Sequence, residues 1–168
     1  VTCANEPNLE SSNIIMSHPY IKLLAVTGGE GIVKVAMKSG KKAICAGPGN
    51  PPVMVDETAD IPKAGKDIVD GASLDNNVMC FEEKECFAVA SICDQLMEEM
   101  QKNGAYRVYG DDIEKIKNTV LMQKNGKWVI NRKFVGHNPS FIMDAAGVSY
   151  VGDPRLIICE VDKDHPFI

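Results

Sequence analysis

Hydrophobic and polar positions follow two different periods along this chain, and the switches between them predict most of its elements. Ile21-Lys22-Leu23-Leu24-Ala25-Val26 is a compact apolar run closed by Thr27-Gly28-Gly29, the pattern of a buried strand. Gly31 to Lys38 sets Ile32, Val33, Val35, Ala36 and Met37 at helical spacing, and Ser39-Gly40 fits its end. Lys42 to Ala46 reads as a second buried strand. Strand, glycine turn, helix and strand in this order make a βαβ unit with a parallel sheet and a right-handed crossover. Ahead of it, Asn8 to Ser17 carries Leu9, Ile14, Ile15 and Met16, a short helix stopped by His18-Pro19.

The Gly/Pro-rich stretch Gly47 to Pro52 is the best internal boundary, dividing residues 1–52 from 53–168. Beyond it, Val53 to Asp56 predicts a strand, and Ile61, Ala64, Ile68 and Val69 mark one face of a helix. Phe87 to Ala90 reads as a strand, with Ser91 capping a helix through Met100 that aligns Ile92, Leu96 and Met100. Tyr106 to Tyr109 predicts a short strand and Asp111 to Met122 an amphipathic helix. Gln123 to Gly136 is polar, with a hairpin or loop expected around Asn125-Gly126 and an amphipathic strand at Lys127 to Ile130. Asn138 and Pro139 suit the cap and first turn of a helix to Ala146, and Leu156 to Val161 closes with a strand. Alternating strands and helices predict an α/β fold, a parallel sheet with flanking helices.

Composition narrows the partners. The 168 residues carry 18 Lys+Arg against 23 Asp+Glu, a formal charge of −5, with no basic stripe for a nucleic acid to bind. No apolar run approaches the roughly 18 residues of a membrane span, so no membrane partner is expected. Six cysteines scatter without a CxxC pair or a signal peptide, which points to reduced thiols in the cytoplasm. Three histidines at these spacings offer no zinc cluster, so no metal is expected. The chain opens on Val1 and ends on His165-Pro166-Phe167-Ile168 directly after an apolar run. It reads as a piece cut from a longer polypeptide.

Candidate chemistry centres on Cys80. A free cysteine is more often a small core hydrophobe than a nucleophile, the reading given to Cys45, Cys86, Cys93 and Cys159, which lie in apolar runs. Cys3 has no informative context. Cys80 instead ends the loop Gly71-Ala72-Ser73-Leu74-Asp75-Asn76-Asn77-Val78-Met79, where a thiol can be reachable and partly ionised. Thr27-Gly28-Gly29-Glu30-Gly31, between a strand and a helix, can bring bare backbone N–H groups up to a phosphate, although many such turns carry glycines and bind nothing. Glu82, Glu83 and Glu85 read as a solvated edge. His18 and His165, each before a proline, serve turns, and His137 has no acidic neighbour in sequence.

In their order and spacing, the Thr27–Gly31 turn, the Ala46-Gly47-Pro48-Gly49-Asn50-Pro51-Pro52 hinge and the Cys80 loop resemble the aldehyde dehydrogenase superfamily. The resemblance is strongest to its CoA-acylating branch, which makes acyl-CoA from acetaldehyde, propionaldehyde or butyraldehyde. It implies that residues 1–52 are the last part of a Rossmann-like cofactor domain, and 53–168 a catalytic domain truncated at its C-terminal end. Thr27, Gly28, Gly29 and Gly31 would then contact the pyrophosphate of NAD or NADP. Cys80 would attack a short-chain aldehyde, form a thiohemiacetal and, after hydride loss, carry an acyl-thioester. Hydrolytic members activate water with the glutamate of a Glu-Leu-Gly-Gly stretch, and that position falls here on Ala46, which takes no proton. CoA, as co-substrate, would therefore intercept the thioester. The resemblance also implies a homo-oligomeric parent, monofunctional or half of an aldehyde-alcohol dehydrogenase, in the cytoplasm or in a bacterial microcompartment. Three rival readings stay open: a hydrolytic aldehyde dehydrogenase with its base elsewhere, a non-catalytic α/β interaction domain, and a thiol hydrolase, which would want a histidine near Cys80.

Overall fold

A computed structural model describes residues 2–168, which form two compact units, 2–49 and 50–168. In the first, helix α1 (Leu9–Ser17) begins on a reciprocal cap. The Asn8 side chain accepts from Ser11 N at 2.8 Å, and the Ser11 hydroxyl accepts from Asn8 N at 3.0 Å. Strand β1 (Leu23–Thr27), helix α2 (Glu30–Lys38) and strand β2 (Lys42–Ala46) complete the unit. The strands pair in parallel from Leu23 opposite Lys42 to Thr27 opposite Ala46.

Only one face of this pair is covered. Met16, Leu24 and Ala36 are buried with Ile21, Val26, Ile32, Ala43 and Cys45 packed against them, whereas Leu23 and Ile44 on the alternate positions are exposed. Continuous apolar runs predicted strands buried on both sides. The period of two sends every other side chain to a face that helix α2 does not cover.

The second unit opens with strand β3 (Pro52–Val55) and helix α3 (Ile61–Ala72). Asp60 caps α3 by accepting from Lys63 N at 3.2 Å. Strand β4 (Glu85–Ala88) pairs in parallel with β3, and helix α4 (Cys93–Lys102) follows. Strand β5 (Ala105–Arg107) pairs in parallel with the last strand, β8 (Leu156–Ile158). Between them lie helix α5 (Asp111–Val120), an antiparallel hairpin of β6 (Leu121–Lys124) and β7 (Lys127–Ile130), and helix α6 (Pro139–Ala146). The hairpin turns at Asn125-Gly126, both at positive φ.

Helices α3 and α4 meet where α3 carries a glycine: a Cβ on Gly65 would lie 2.6 Å from the Glu99 Cβ. That approach lets Ile61, Ile68, Val69, Ile92, Leu96 and Met100 close one core with Val55 and Ala105. A second core joins Val108, Ile116, Met143 and Val148.

The elements differ from the sequence pattern in several places: β4 runs over Glu85–Ala88, where Phe87 to Ala90 was expected, and β5 and β8 end at Arg107 and Ile158, short of Tyr109 and Val161. Helix α4 starts at Cys93 after Ile92, with no side-chain cap, so Ser91 is not its cap. Helix α5 stops at Val120 because Leu121 and Met122 pair into the hairpin, opposite Ile130 and Val129. All four residues of β7 are exposed, so it is a strand without an inward face, and Trp128 lies beneath the Lys117 ammonium at 5.2 Å. Among the described residues, no helix is long and apolar enough to cross a membrane.

Candidate active site

Cys80 is exposed at the tip of a tight turn, and the segment leading to it is held in backbone that side chains usually avoid. Asp75, Asn76 and Asn77 lie in succession at φ 44°, 55° and 60°, the left-handed region. Asn and Asp tolerate this region best after glycine, because their short polar groups bond locally. Here the bonds are long-range as well. Asn76 Nδ2 donates to Gly136 O at 3.1 Å and to Asn138 Oδ1 at 3.0 Å. Gly136, at φ 75°, lies so close to the loop that a Cβ there would meet the Val78 side chain at 3.1 Å. Asn138 precedes α6 as expected, but its amide oxygen bonds Asn76 and caps no helix.

Asn77 uses its whole amide. Its Nδ2 donates to Ala72 O at 2.7 Å and to Glu83 O at 2.9 Å, tying the end of α3 to the approach of β4. Its Oδ1 accepts from Lys84 Nζ at 2.6 Å, and the same ammonium donates to Met79 O at 3.0 Å. Glu83 folds back over α3, where a Cβ on Gly71 would meet its carboxylate at 2.2 Å. The loop is thus locked from α3, from β4 and from residues 136–138.

The turn itself runs from Met79 to Glu82, with Cys80 and Phe81 at its corner. Glu82 N donates to Met79 O at 3.5 Å, and Met79 N donates to Glu82 Oε2 at 2.8 Å. Contrary to the solvated edge expected of this acidic run, Glu82 is 1% exposed, and its Oε1 is buried with no hydrogen-bond partner.

The other thiols differ in setting. Cys86 is exposed, not buried as expected, because it faces an open cavity of about 720 Å³ that Asn76, Asn77, Glu83 and Cys93 also line; Cys80 does not line it. Cys45, Cys93 and Cys159 are half-buried. Desolvation of the sulfur raises the thiol pKa of Cys93 and Cys159, and of Cys86 although that residue as a whole is exposed, which suppresses their thiolates. As for the histidines, His18 Nδ1 accepts from Tyr20 N and His165 Nδ1 from Phe167 N, both within turns, while His137 stacks on Phe141 at 4.2 Å.

In the first unit, the candidate cofactor turn joins β1 to α2. Gly28 has φ 154°, and a Cβ there would meet the Ile32 side chain at 2.9 Å. Gly29 stands at the N-cap with no side-chain bond, and Cβ atoms on Gly29 or Gly31 would find nothing within 4 Å. A helix start with no side-chain cap and open space before it fits a phosphate. Glu30 is exposed and pairs one turn on with Lys34, which draws its carboxylate along the helix. Among the described residues, no His, Cys, Asp and Glu cluster could hold a metal.

The chain belongs to the aldehyde dehydrogenase family, whose sequence profile matches residues 2–135. It is 42% identical over 169 residues to a propanal dehydrogenase (CoA-propanoylating) of Citrobacter freundii, covering 100% of this chain and 36% of that protein. It superposes with a TM-score of 0.89 on a propionaldehyde dehydrogenase from a Clostridium phytofermentans fucose-utilisation microcompartment. The two are 43% identical, over 97% of this chain and 37% of that one. A Rhodopseudomonas palustris propionaldehyde dehydrogenase with bound CoA and an acylated cysteine gives 0.88 at 42% identity, over 96% and 36%. The chain therefore spans little more than a third of the length of these relatives.

Proposed function

We propose that this chain is the nucleophile-bearing part of a CoA-acylating aldehyde dehydrogenase, with residues 1–52 from the cofactor domain and 53–168 from the catalytic domain. One observation carries the reading: Cys80, alone among the thiols, stands at the corner of a turn braced from three directions. In that role its thiolate attacks the carbonyl carbon of a short-chain aldehyde. The oxyanion that forms is met by a backbone donor, the N–H of Cys80 itself. Loss of hydride from the thiohemiacetal leaves an acyl-thioester on Sγ. Ala46 offers no base to activate water, so the thiol of CoA takes the acyl group and releases Cys80. Thr27, Gly28, Gly29 and Gly31 would hold the pyrophosphate of NAD or NADP, which supplies the hydride acceptor when bound. The relatives support CoA and a propanal-sized substrate, and one relative supports a microcompartment as the site of action; a homo-oligomer completes the proposal.

The test uses the full-length polypeptide. Propanal and NAD or NADP are supplied with and without CoA, and the products are read by mass spectrometry. Propanoyl-CoA formed only with CoA, with slow release of free acid without it, is the expected result. Rapid free-acid production that CoA does not alter would replace the acylating reading with the hydrolytic one.

A further inference from the structure

We infer that Glu82 is a positioning residue for Cys80: its buried carboxylate latches the Met79–Glu82 turn and fixes the direction in which the thiol and its backbone N–H face an acyl carbon. The inference rests on the reading of Cys80 as the nucleophile. Both backbone groups of Met79 are held, its N–H by Glu82 Oε2 at 2.8 Å and its C=O by Lys84 Nζ at 3.0 Å. The residue that follows is therefore set by two side chains as well as by the turn. A carboxylate is a stronger acceptor for an amide than a neutral group, which suits a latch on a two-residue corner.

The cost is visible on the same side chain. Glu82 is 1% exposed and its second oxygen has no partner, an arrangement that destabilises folding wherever it occurs. An apolar side chain of similar volume would avoid that penalty. A carboxylate at this position opposes stability, and what it supplies in exchange is the bond to Met79 N.

The test compares the chain with its E82Q and E82M variants, using p-nitrophenyl propionate as the acyl donor. The Sγ–acyl bond forms, the ester C–O bond breaks, p-nitrophenolate leaves with its colour, and the thiol proton goes to solvent. Mass spectrometry assigns the acyl group to Cys80. E82M keeps the volume and loses the acceptor. It should melt at the same temperature or higher, exchange the Met79 amide about tenfold faster and acylate Cys80 about tenfold more slowly. E82Q keeps an acceptor oxygen and should retain both within about threefold. Wild-type rates of acylation and exchange in E82M would overturn the inference, as would equal losses in E82Q and E82M. If Cys80 of the unaltered chain takes no acyl group, the nucleophile reading fails, and the Met79 amide exchange still decides whether the latch exists.

Discussion

The turn after β1 and the loop after α3 both use backbone that ordinary side chains disfavour, and they reach it by opposite means. At Gly28 the chain sheds its side chain, and the helix that follows begins with no polar group bonded across its N-terminus. At Asp75 to Asn77 the chain keeps its side chains and uses the two amides as struts. Bare backbone leaves room for a ligand to approach, so its function needs emptiness. A thiol that must meet a carbon at a set angle needs the reverse, a rigid mount. Two different disfavoured conformations, φ 154° at Gly28 and φ 44° to 60° at Asp75 to Asn77, therefore serve two purposes, and the residue that adopts each, glycine or an amide, tells which.

Cys80→Ser is the largest perturbation. It should slow acylation of the chain, and aldehyde oxidation by the full-length protein, by about a thousandfold or more, because a hydroxyl is a far weaker nucleophile. The exposed position of residue 80 should leave the circular dichroism and melting temperature unchanged. Loss of activity in Cys86→Ser with Cys80→Ser intact would move the mount to the wrong thiol.

Asn77→Ala removes three side-chain hydrogen bonds and puts alanine at φ 60°, so urea unfolding should report a loss of about 2–4 kcal/mol. Asn77→Gly, which keeps the left-handed conformation without strain, should recover about 1 kcal/mol of this. Equal losses in the two variants would mean that the struts alone matter.

For the bare turn, Gly28→Ala should cost about 1–2 kcal/mol through φ and the Ile32 contact. Gly31→Ala meets open space within a helix and should change stability by less than about 0.5 kcal/mol. In the full-length protein Gly31→Ala should nonetheless weaken NAD binding, measured by calorimetry, if that space belongs to a phosphate. Unchanged affinity would separate the turn from the cofactor.

The smallest effect distinguishes three of the other thiols from the mount. Cys86, Cys93 and Cys159 are raised above the ordinary thiol value of 9.0 by burial. Their raised values contribute stability that is complete below the unfolded value and is lost as pH climbs from there towards the folded values. The melting temperature should therefore fall between pH 8 and pH 10, and replacing the three with alanine should flatten that slope. An unchanged slope would place its cause elsewhere.

Much of this architecture could be read from periodicity. Strand and helix alternation predicted an α/β fold and the parallel pairing of β1 with β2, and the amide-rich loop pointed to Cys80. The errors lie where local pattern and distant packing disagree. Leu121 and Met122 suit a helix but are taken by a hairpin partner. Ser91 suits a cap, yet the first turn of α4 begins two residues later. Glu82 looked like one charge among three, and only the turn closing on Met79 turns it inward. The bonds from Asn76 to residues 136 and 138 cross some sixty positions of sequence, a distance over which no local signal operates.

The cavity of about 720 Å³ has a further consequence for how the chain behaves in a tube. Residues of β4 and of β8 both line it, and among the described residues each strand has a single hydrogen-bonded neighbour, β3 and β5. The two strands thus each offer an edge of unpaired amides and carbonyls beside an apolar wall of Leu96, Met100 and Leu156. Such edges recruit any extended segment that comes near. On its own the chain should be colloidally restless: clear when dilute, scattering light as it is concentrated, and calmed by polypeptide that lies down between the two edges.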